Sequence, residues 1–551
     1  MYFTFPVSHM RRCCTTVLLL LSVTTGAGHV QAQSRPPVSS TAAGPSLVVF
    51  LTIDQMRAEY LDRFAAQFTG GLKRLKTEGA VFTTAMHDHA ITETAPGHAT
   101  VMSGRFPVHT RITHNTSGVN TSDAPLIAGA KGDGASPFRF KGTTVTDWMR
   151  ARNPSMRFLS VSRKDRGAIL PIGRTKGDVY WWAPGMFTTS TYYRDTLPSW
   201  VQAFNADSGW MSLAGKSWDL LLPASDYAEP DSVPAEAEGG QFMFPYRAPS
   251  NVDALSKIFF VTPMMDSLTL ALALRGVTAK ELGADRQRTD LLAVSLAATD
   301  AIGHAYGPDS REIHDQIVRL DRSLGAFFDS LFVLRDPRQI TIVLTADHGM
   351  SPLPEVHSGR FKNADAKRVD ASAILAVLDT ALRAKGVPAS AWGWDNGVWF
   401  VPDRAAFAKA RVSVDSVARV LSTALRALPG VSRSDLFTAL AKRDTTTDHI
   451  ARRWLHMFTP GEEAILATTL TQFSLWWTTP NAAHGMPYDD DAHVPLIFWG
   501  AKVRPGLYTQ PVRTVDIAPT IARVVGVQPT ERLDGKPLMQ ALIGTTAPKR
   551  R

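Results

Sequence analysis

Leu47-Val48-Val49-Phe50-Leu51-Thr52-Ile53-Asp54 is the stretch whose reading decides the fold. It is a nearly unbroken apolar run of strand length, without polar-apolar alternation. A strand with one wet face alternates; a strand covered on both faces does not. Three more runs, at 291–296, 340–344 and 494–499, share this character and are rich in Val, Ile and Leu. Helical patterns lie between them. Residues 61–78 are amphipathic, and 311–331 repeats apolar residues at Ile313, Ile317, Leu320, Leu324 and Phe327/Phe328. Residues 371–384 and 412–428 read similarly. Strands alternating with helices predict an α/β fold with a central, mostly parallel sheet flanked by helices.

The polar residues after each run carry the chemistry. Asp54 follows the first, Asp300 and His304 the second, and Asp347 and His348 the third; His484 precedes the fourth. Open parallel sheets bind ligands beyond the carboxyl ends of their strands, so these side chains are expected at one edge. Asp300 and His304 are one helical turn apart and share a face. Oxygen and imidazole donors without thiolate suit a catalytic Zn²⁺. Thr94 heads the helix-competent stretch Ala95 to Met102, where it reads as an N-cap. A helix N-terminus beside a divalent cation also favours an oxygen nucleophile.

The chain has 551 residues, 44% apolar and 20% charged, which is ordinary for a folded globular protein. Arg11 and Arg12, an apolar stretch from Val17, and Val30-Gln31-Ala32 read as a signal peptide at 1–32, cleaved after Ala32. The expected location is therefore periplasmic or secreted, with no stable membrane span after cleavage. Residues 33–45, rich in Ser, Pro, Ala and Gly, read as a flexible linker. Both cysteines, Cys13 and Cys14, lie in the leader, which excludes disulfides, thiolate ligands and cysteine nucleophiles from the mature chain. The formal charge of +9 falls to +7 once the two leader arginines are removed. Its basic residues are scattered, which argues against nucleic acid as a dedicated partner. Residues 46–551 read as one catalytic domain with insertions at about 120–289 and 366–480, forming loops and a small cap.

Six motifs in order carry a resemblance: Leu51-Thr52-Ile53-Asp54, Thr94-Ala95-Pro96-Gly97-His98, Ser162-Arg163-Lys164-Asp165-Arg166, Thr299-Asp300-Ala301-Ile302-Gly303-His304, Thr345-Ala346-Asp347-His348-Gly349 and His484-Gly485. With them the chain resembles the alkaline phosphatase superfamily, and most nearly the monomeric PafA-type bacterial enzymes that use threonine. The resemblance implies one zinc held by Asp300, His304 and His484, and a second held by Asp54, Asp347 and His348 with Thr94. It implies no Mg²⁺ site and a monomer. It makes Thr94 the nucleophile that forms a phosphothreonine, and Asn115, Lys164 and Arg166 the groups that contact the phosphoryl oxygens. Small phosphate monoesters are then the expected substrates.

Two rivals stand beside this reading. A nucleotide pyrophosphatase/phosphodiesterase of the same superfamily shares the metal ligands, Thr94 and Asn115, but Lys164 and Arg166 favour the more highly charged monoester. A metal-independent binding protein would be indifferent to chelation. His87, His89 and His98 read as structural or as supports behind the ligands, and Asp489-Asp490-Asp491 as a solvated turn, with carboxylates that orient a histidine as their other reading. Trp181, Trp182, Tyr192 and Tyr193 read as packing, with a leaving-group pocket as their other reading.

Overall fold

The computed structural model describes residues 44–236, 241–356, 365–476 and 482–544. The leader, the linker up to residue 43 and Lys549-Arg550-Arg551 lie outside the described residues. The central sheet contains ten strands: β1 (Leu47–Ile53), β2 (Ala80–Met86), β3 (Phe158–Ser162), β4 (Asp178–Ala183), β5 (Met186–Thr188), β6 (Asp290–Leu296), β7 (Ile340–Thr345), β8 (His493–Gly500), β9 (Gly506–Tyr508) and β10 (Val512–Arg513). Their order is β9-β2-β8-β7-β1-β6-β3-β4-β5, with β10 also on β2. The centre from β7 to β4 is parallel, whereas β8 runs antiparallel between β7 and β2.

Strand β1 shows why its sequence does not alternate. Val49 and Leu51 enter the core on one face of the sheet, and Val48 and Phe50 the core on the other. With α1 at Thr94–Ser103, α2 at Asp165–Ile169 and α3 at Ala298–Tyr306, helix α4 (Arg311–Leu334) packs on the first face through Ile313, Ile317, Leu320, Leu324 and Phe328, the spacing expected of one helical stripe. The register sets the functional edge. Leu47 pairs with Asp290 and Ile340, and Thr52 with Ser295 and Thr345. The carboxyl ends of β1, β6 and β7 are therefore level.

Two stretches differ from the sequence reading. Residues 61–78 are not one helix; they form short helices at Tyr60–Arg63 and Gly71–Glu78 around a 3₁₀ turn. The break lies where the chain presses on α4: a Cβ on Gly70 would fall 2.3 Å from the Asp321 carbonyl oxygen, and one on Gly71 2.4 Å from the Leu324 Cβ. The buried Asp321 carboxylate accepts the N–H groups of Thr69, Gly70 and Lys73, so a neighbouring helix caps the turn. The stretch 120–289 is only partly an insertion, since β3, β4 and β5 within it extend the central sheet.

Within 366–480, four antiparallel strands (Gly393–Asp395, Val398–Phe400, Ala464–Leu470 and Val431–Leu436, in sheet order) carry helices Ser372–Ala384 and Val414–Arg426. Leu382, Trp399, Leu421, Leu425 and Leu466 give this cap its own apolar core. Among the described residues, no single helix is long and apolar enough to cross a membrane.

Candidate active site

The level strand ends bring the expected side chains together. Asp54 follows β1, Asp300 and His304 lie on α3 (Ala298–Tyr306) after β6, and Asp347 and His348 follow β7. His484 arrives from the loop before β8. Asp300 Oδ1 lies 3.2 Å from His304 Nε2 and 3.7 Å from His484 Nε2, and the two Nε2 atoms are 3.2 Å apart. His348 Nε2 lies 3.4 Å from Asp54 Oδ1 and 3.7 Å from Asp347 Oδ2. The two groups are contiguous, because the His348 and His484 rings stack at 3.7 Å. One donor atom each from Asp54, Asp347 and His348 lie within 4.8 Å of one another, as do those of Asp300, His348 and His484.

The outer contacts fix which imidazole nitrogen faces inward. Nδ1–H donates to a backbone carbonyl in all three rings: Ala482 for His304, Thr92 for His484 and Gly349 for His348. Each Nε2 is thereby left as a bare acceptor pointing at carboxylate oxygens. Asp54 Oδ1 and Asp300 Oδ1 are buried without a hydrogen-bond donor. Acceptors facing acceptors at 3.2–3.7 Å are an arrangement that cations complete, so the residues fit metal binding.

Charge supports the same reading. Asp54, Asp300 and Asp347 are buried together with a single ammonium, Lys164. Its Nζ is 2.6 Å from Asp54 Oδ2, 2.6 Å from Asp300 Oδ2 and 3.0 Å from Thr94 Oγ1. Burial, then Asp300 and Asp347, push the Asp54 pKa well above the ordinary carboxylate range despite Lys164. For Asp300, burial acts upward but Lys164, His304 and His484 outweigh it, and the pKa falls well below that range. Burial and the neighbouring His348 and His304 push His484 well down, which keeps it neutral and competent as a ligand. Three carboxylates and one ammonium leave two negative charges; two divalent cations would reverse that to two positive, the complement of a phosphate dianion.

Thr94 opens α1 (Thr94–Ser103), and its hydroxyl lies 3.5 Å from His348 Nε2. Thr94 is not the N-cap. It is the first helical residue, and Asn115 Oδ1 accepts the Ala95 N–H at 2.9 Å instead. That arrangement frees the Thr94 hydroxyl for Lys164 and the metal-ligand cluster, and it fixes the Asn115 amide so that its NH₂ end is available as a donor. The helix approaches the Asp347 turn so closely that a Cβ on Gly97 would sit 2.1 Å from the Asp347 carbonyl oxygen. Lys164 caps α2 (Asp165–Ile169) at the carboxyl end of β3. Arg166, half-buried in α2, ion-pairs with Asp165 at 3.5 Å and makes no hydrogen bond or ion pair to the cluster.

His87 bonds Ala346 O and Thr514 Oγ1, whereas His98 bonds Thr94 O and Ser295 Oγ and brings its Nδ1 within 3.1 Å of Asp347 Oδ2, behind the cluster. His89 is fully buried. Asp491, in contrast, is not part of a solvated turn. It is buried, and its carboxylate accepts Gly485 N–H, Met486 N–H and Ser351 Oγ–H, tying the His484 loop to the His348 loop. Two further residues escaped the sequence reading. Gln55, at φ 68°, donates its N–H to Asp347 Oδ1. Glu93 accepts Asn115 N–H and Asn396 Nδ2–H, joining the Thr94 turn to the cap. Trp181 and Trp182 pack within the core. The cavity over the site, about 470 Å³, is lined instead by Trp394 and Trp476 of the cap, together with His304 and His484.

Comparison with known proteins identifies the family. Residues 48–460 match the family model for type I phosphodiesterase / nucleotide pyrophosphatase. The chain is 30% identical to alkaline phosphatase PafA of Elizabethkingia meningoseptica, over 95% of this chain and 98% of that one. It is also 30% identical to alkaline phosphatase PhoK of a Sphingomonas species, over 90% and 91%. The crystal structure of wild-type PafA superposes with a TM-score of 0.82 at 27% identity, covering 91% of this chain and 99% of that one. The chain therefore belongs to the type I phosphodiesterase / nucleotide pyrophosphatase family, within the alkaline phosphatase superfamily.

Proposed function

We propose that the protein is an exported, zinc-dependent alkaline phosphatase that hydrolyses phosphate monoesters through a phosphothreonine on Thr94. Relatives named alkaline phosphatases over nearly the whole chain support the activity. The observation that carries the monoester reading is Lys164. Its ammonium stands 3.0 Å from Thr94 Oγ1 inside the ligand cluster, where the oxygens of a phosphoryl group on Thr94 would lie. A monoester dianion carries one more negative charge than a diester and gains more from that cation.

The ligand sets Asp54/Asp347/His348 with Thr94, and Asp300/His304/His484, would hold two zinc ions. Bound zinc lowers the pKa of hydroxyl groups and neutralises charge that develops on oxygen. Thr94 Oγ attacks phosphorus in line, and its proton leaves to solvent as the Thr94 Oγ–P bond forms. Lys164 Nζ, 3.0 Å from Thr94 Oγ1, donates to a non-bridging oxygen of the phosphoryl group bound there. The bond from phosphorus to the leaving-group oxygen breaks with its electron pair on that oxygen, which takes a proton from solvent. Water then attacks the phosphothreonine, and Thr94 and inorganic phosphate are released. Asn115 Nδ2–H donates to the equatorial oxygens, and Arg166 swings from Asp165 to do the same.

The decisive experiment measures zinc content with kcat/KM on an aryl phosphate and its diester, for wild type, Lys164→Ala and Arg166→Ala. Wild type should favour the monoester, and Lys164→Ala should lower the monoester rate about 10²-fold while sparing the diester. A large diester preference in wild type would favour the phosphodiesterase alternative and overturn this reading. Export predicts that the mature protein begins at Gln33, read by N-terminal sequencing; the monomer is checked by light scattering.

A further inference from the structure

The 470 Å³ cavity lies to one side of the cluster. Its wall includes His304 and His484 but neither Thr94 nor His348. In-line attack from Thr94, beside His348, sends the leaving group to the opposite side, toward Asp300, His304 and His484. The cavity is therefore where the leaving group sits, and its lining sets which leaving groups are accepted.

That lining has a definite sign. Among the described residues it contains the carboxylates of Glu93, Asp370 and Asp395, and no Lys or Arg. The hydrogen bonds to these carboxylates come from neutral donors. Glu93 receives Asn115 N–H and Asn396 Nδ2–H, Asp395 receives Thr116 Oγ–H at 2.6 Å, and Asp370 receives Ser372 N–H at 2.8 Å. Neutral donors hold a carboxylate in place without cancelling its charge. Trp394 and Trp476 stand edge to face in the same wall, ring centroids 5.6 Å apart at 85°. Indole faces add further negative potential and an apolar surface. The chain as a whole is basic, with a pI near 9.5, but exposed charges are screened over about 8 Å in physiological salt. At contact range the cavity wall, not the net charge, faces the leaving group.

We infer that this cavity selects phosphate monoesters of cationic alcohols, with amino or ammonium leaving groups, and rejects leaving groups that carry a carboxylate or a second phosphate. The inference rests on the monoesterase reading above and adds the charge of the leaving group to it.

Three phenyl phosphates with para substituents CH₂NH₃⁺, CH₂OH and CH₂COO⁻ test it, because the methylene keeps the three phenols close in leaving ability. Wild-type kcat/KM should fall in that order, with the cationic ester at least about tenfold above the anionic one. In the Asp370→Asn/Asp395→Asn double variant the ratio should fall at least about threefold toward one. A ratio is independent of the folded fraction, so partial misfolding leaves it readable. A wild-type ratio of one or less overturns the inference alone, as does a ratio that the double variant does not move. Hydrolysis of none of the three esters overturns the phosphatase reading and this inference with it.

Discussion

Asp491→Asn is a perturbation whose effect can be worked out from the contacts of one carboxylate. Asp491 is 0% exposed. Its Oδ2 accepts Gly485 N–H at 3.0 Å and Met486 N–H at 2.9 Å, and its Oδ1 accepts Ser351 Oγ–H at 2.8 Å. Burial outweighs these donors and raises its pKa from 3.8 to about 7. The unfolded chain ionises near the lower value, so folding takes up a proton in the interval between the two. Stability from this group is complete below the unfolded pKa, is lost as pH rises toward about 7, and is level beyond it. From pH 5.5 upward the loss amounts to ~2 kcal/mol, at 1.36 kcal/mol per unit of the remaining interval. Asparagine has nothing to ionise. Its carbonyl can accept both backbone N–H groups, and its amide can donate to the Ser351 oxygen. The stability of Asp491→Asn relative to wild type should therefore grow by ~2 kcal/mol between pH 5.5 and 8.5. Urea unfolding of both proteins at both pH values, in equal excess zinc, measures this; metal linkage then enters both alike. A difference that is flat in pH, or shrinks as pH rises, would refute the assignment of a protonated Asp491.

Thr94→Ala should lower kcat/KM by about 10³-fold or more and abolish acid-trapped phosphoprotein. Full turnover by this variant would reject the covalent route. Gly97→Ala places a methyl 2.1 Å from the Asp347 carbonyl oxygen, so one backbone must retreat. Thermal unfolding should show a loss of about 3 kcal/mol, with weaker metal retention because Asp347 moves. Asp321→Ala strips the acceptor from the N–H groups of Thr69, Gly70 and Lys73 and should cost about 3 kcal/mol in urea unfolding. Since that turn lies outside the active site, kcat per folded molecule should hold; a fall in kcat would show that the turn couples to the site.

The strands that read clearly are those whose burial is written in apolar side chains. Strand β1 is covered on both faces, so composition alone reveals it. Strand β3 is fully buried too, yet it reads Phe158-Leu159-Ser160-Val161-Ser162. Its serines are satisfied internally: Ser160 Oγ–H donates to Ala168 O, and Ser162 Oγ accepts the Lys164 N–H. Hydrogen bonds to the following turn replace apolar matter, and the hydrophobic signal disappears although the burial does not. The break inside 61–78 was hidden for a related reason, because its cause is the backbone of α4, far along the chain.

The site divides in the same way. The clustering of Asp54, Asp300, His304, Asp347 and His348 was legible because they follow strand ends, where the topology of an open sheet collects side chains, while His484 joins them from the loop before β8. The partners that orient the histidines were not, since they are the main-chain carbonyls of Ala482, Thr92 and Gly349, and a carbonyl has no residue type to recognise. Glu93 marks the boundary most sharply. It is adjacent to Thr94, yet its role depends on Asn396, 303 residues away in the cap. One of its oxygens holds the Asn115 main chain and the other holds the cap loop that carries Asp395. The turn that carries Thr94 and the cavity wall of the cap thus share one carboxylate. Under the proposed function, a change in the cap that frees Asn396 should therefore disturb turnover at Thr94 as well as selectivity.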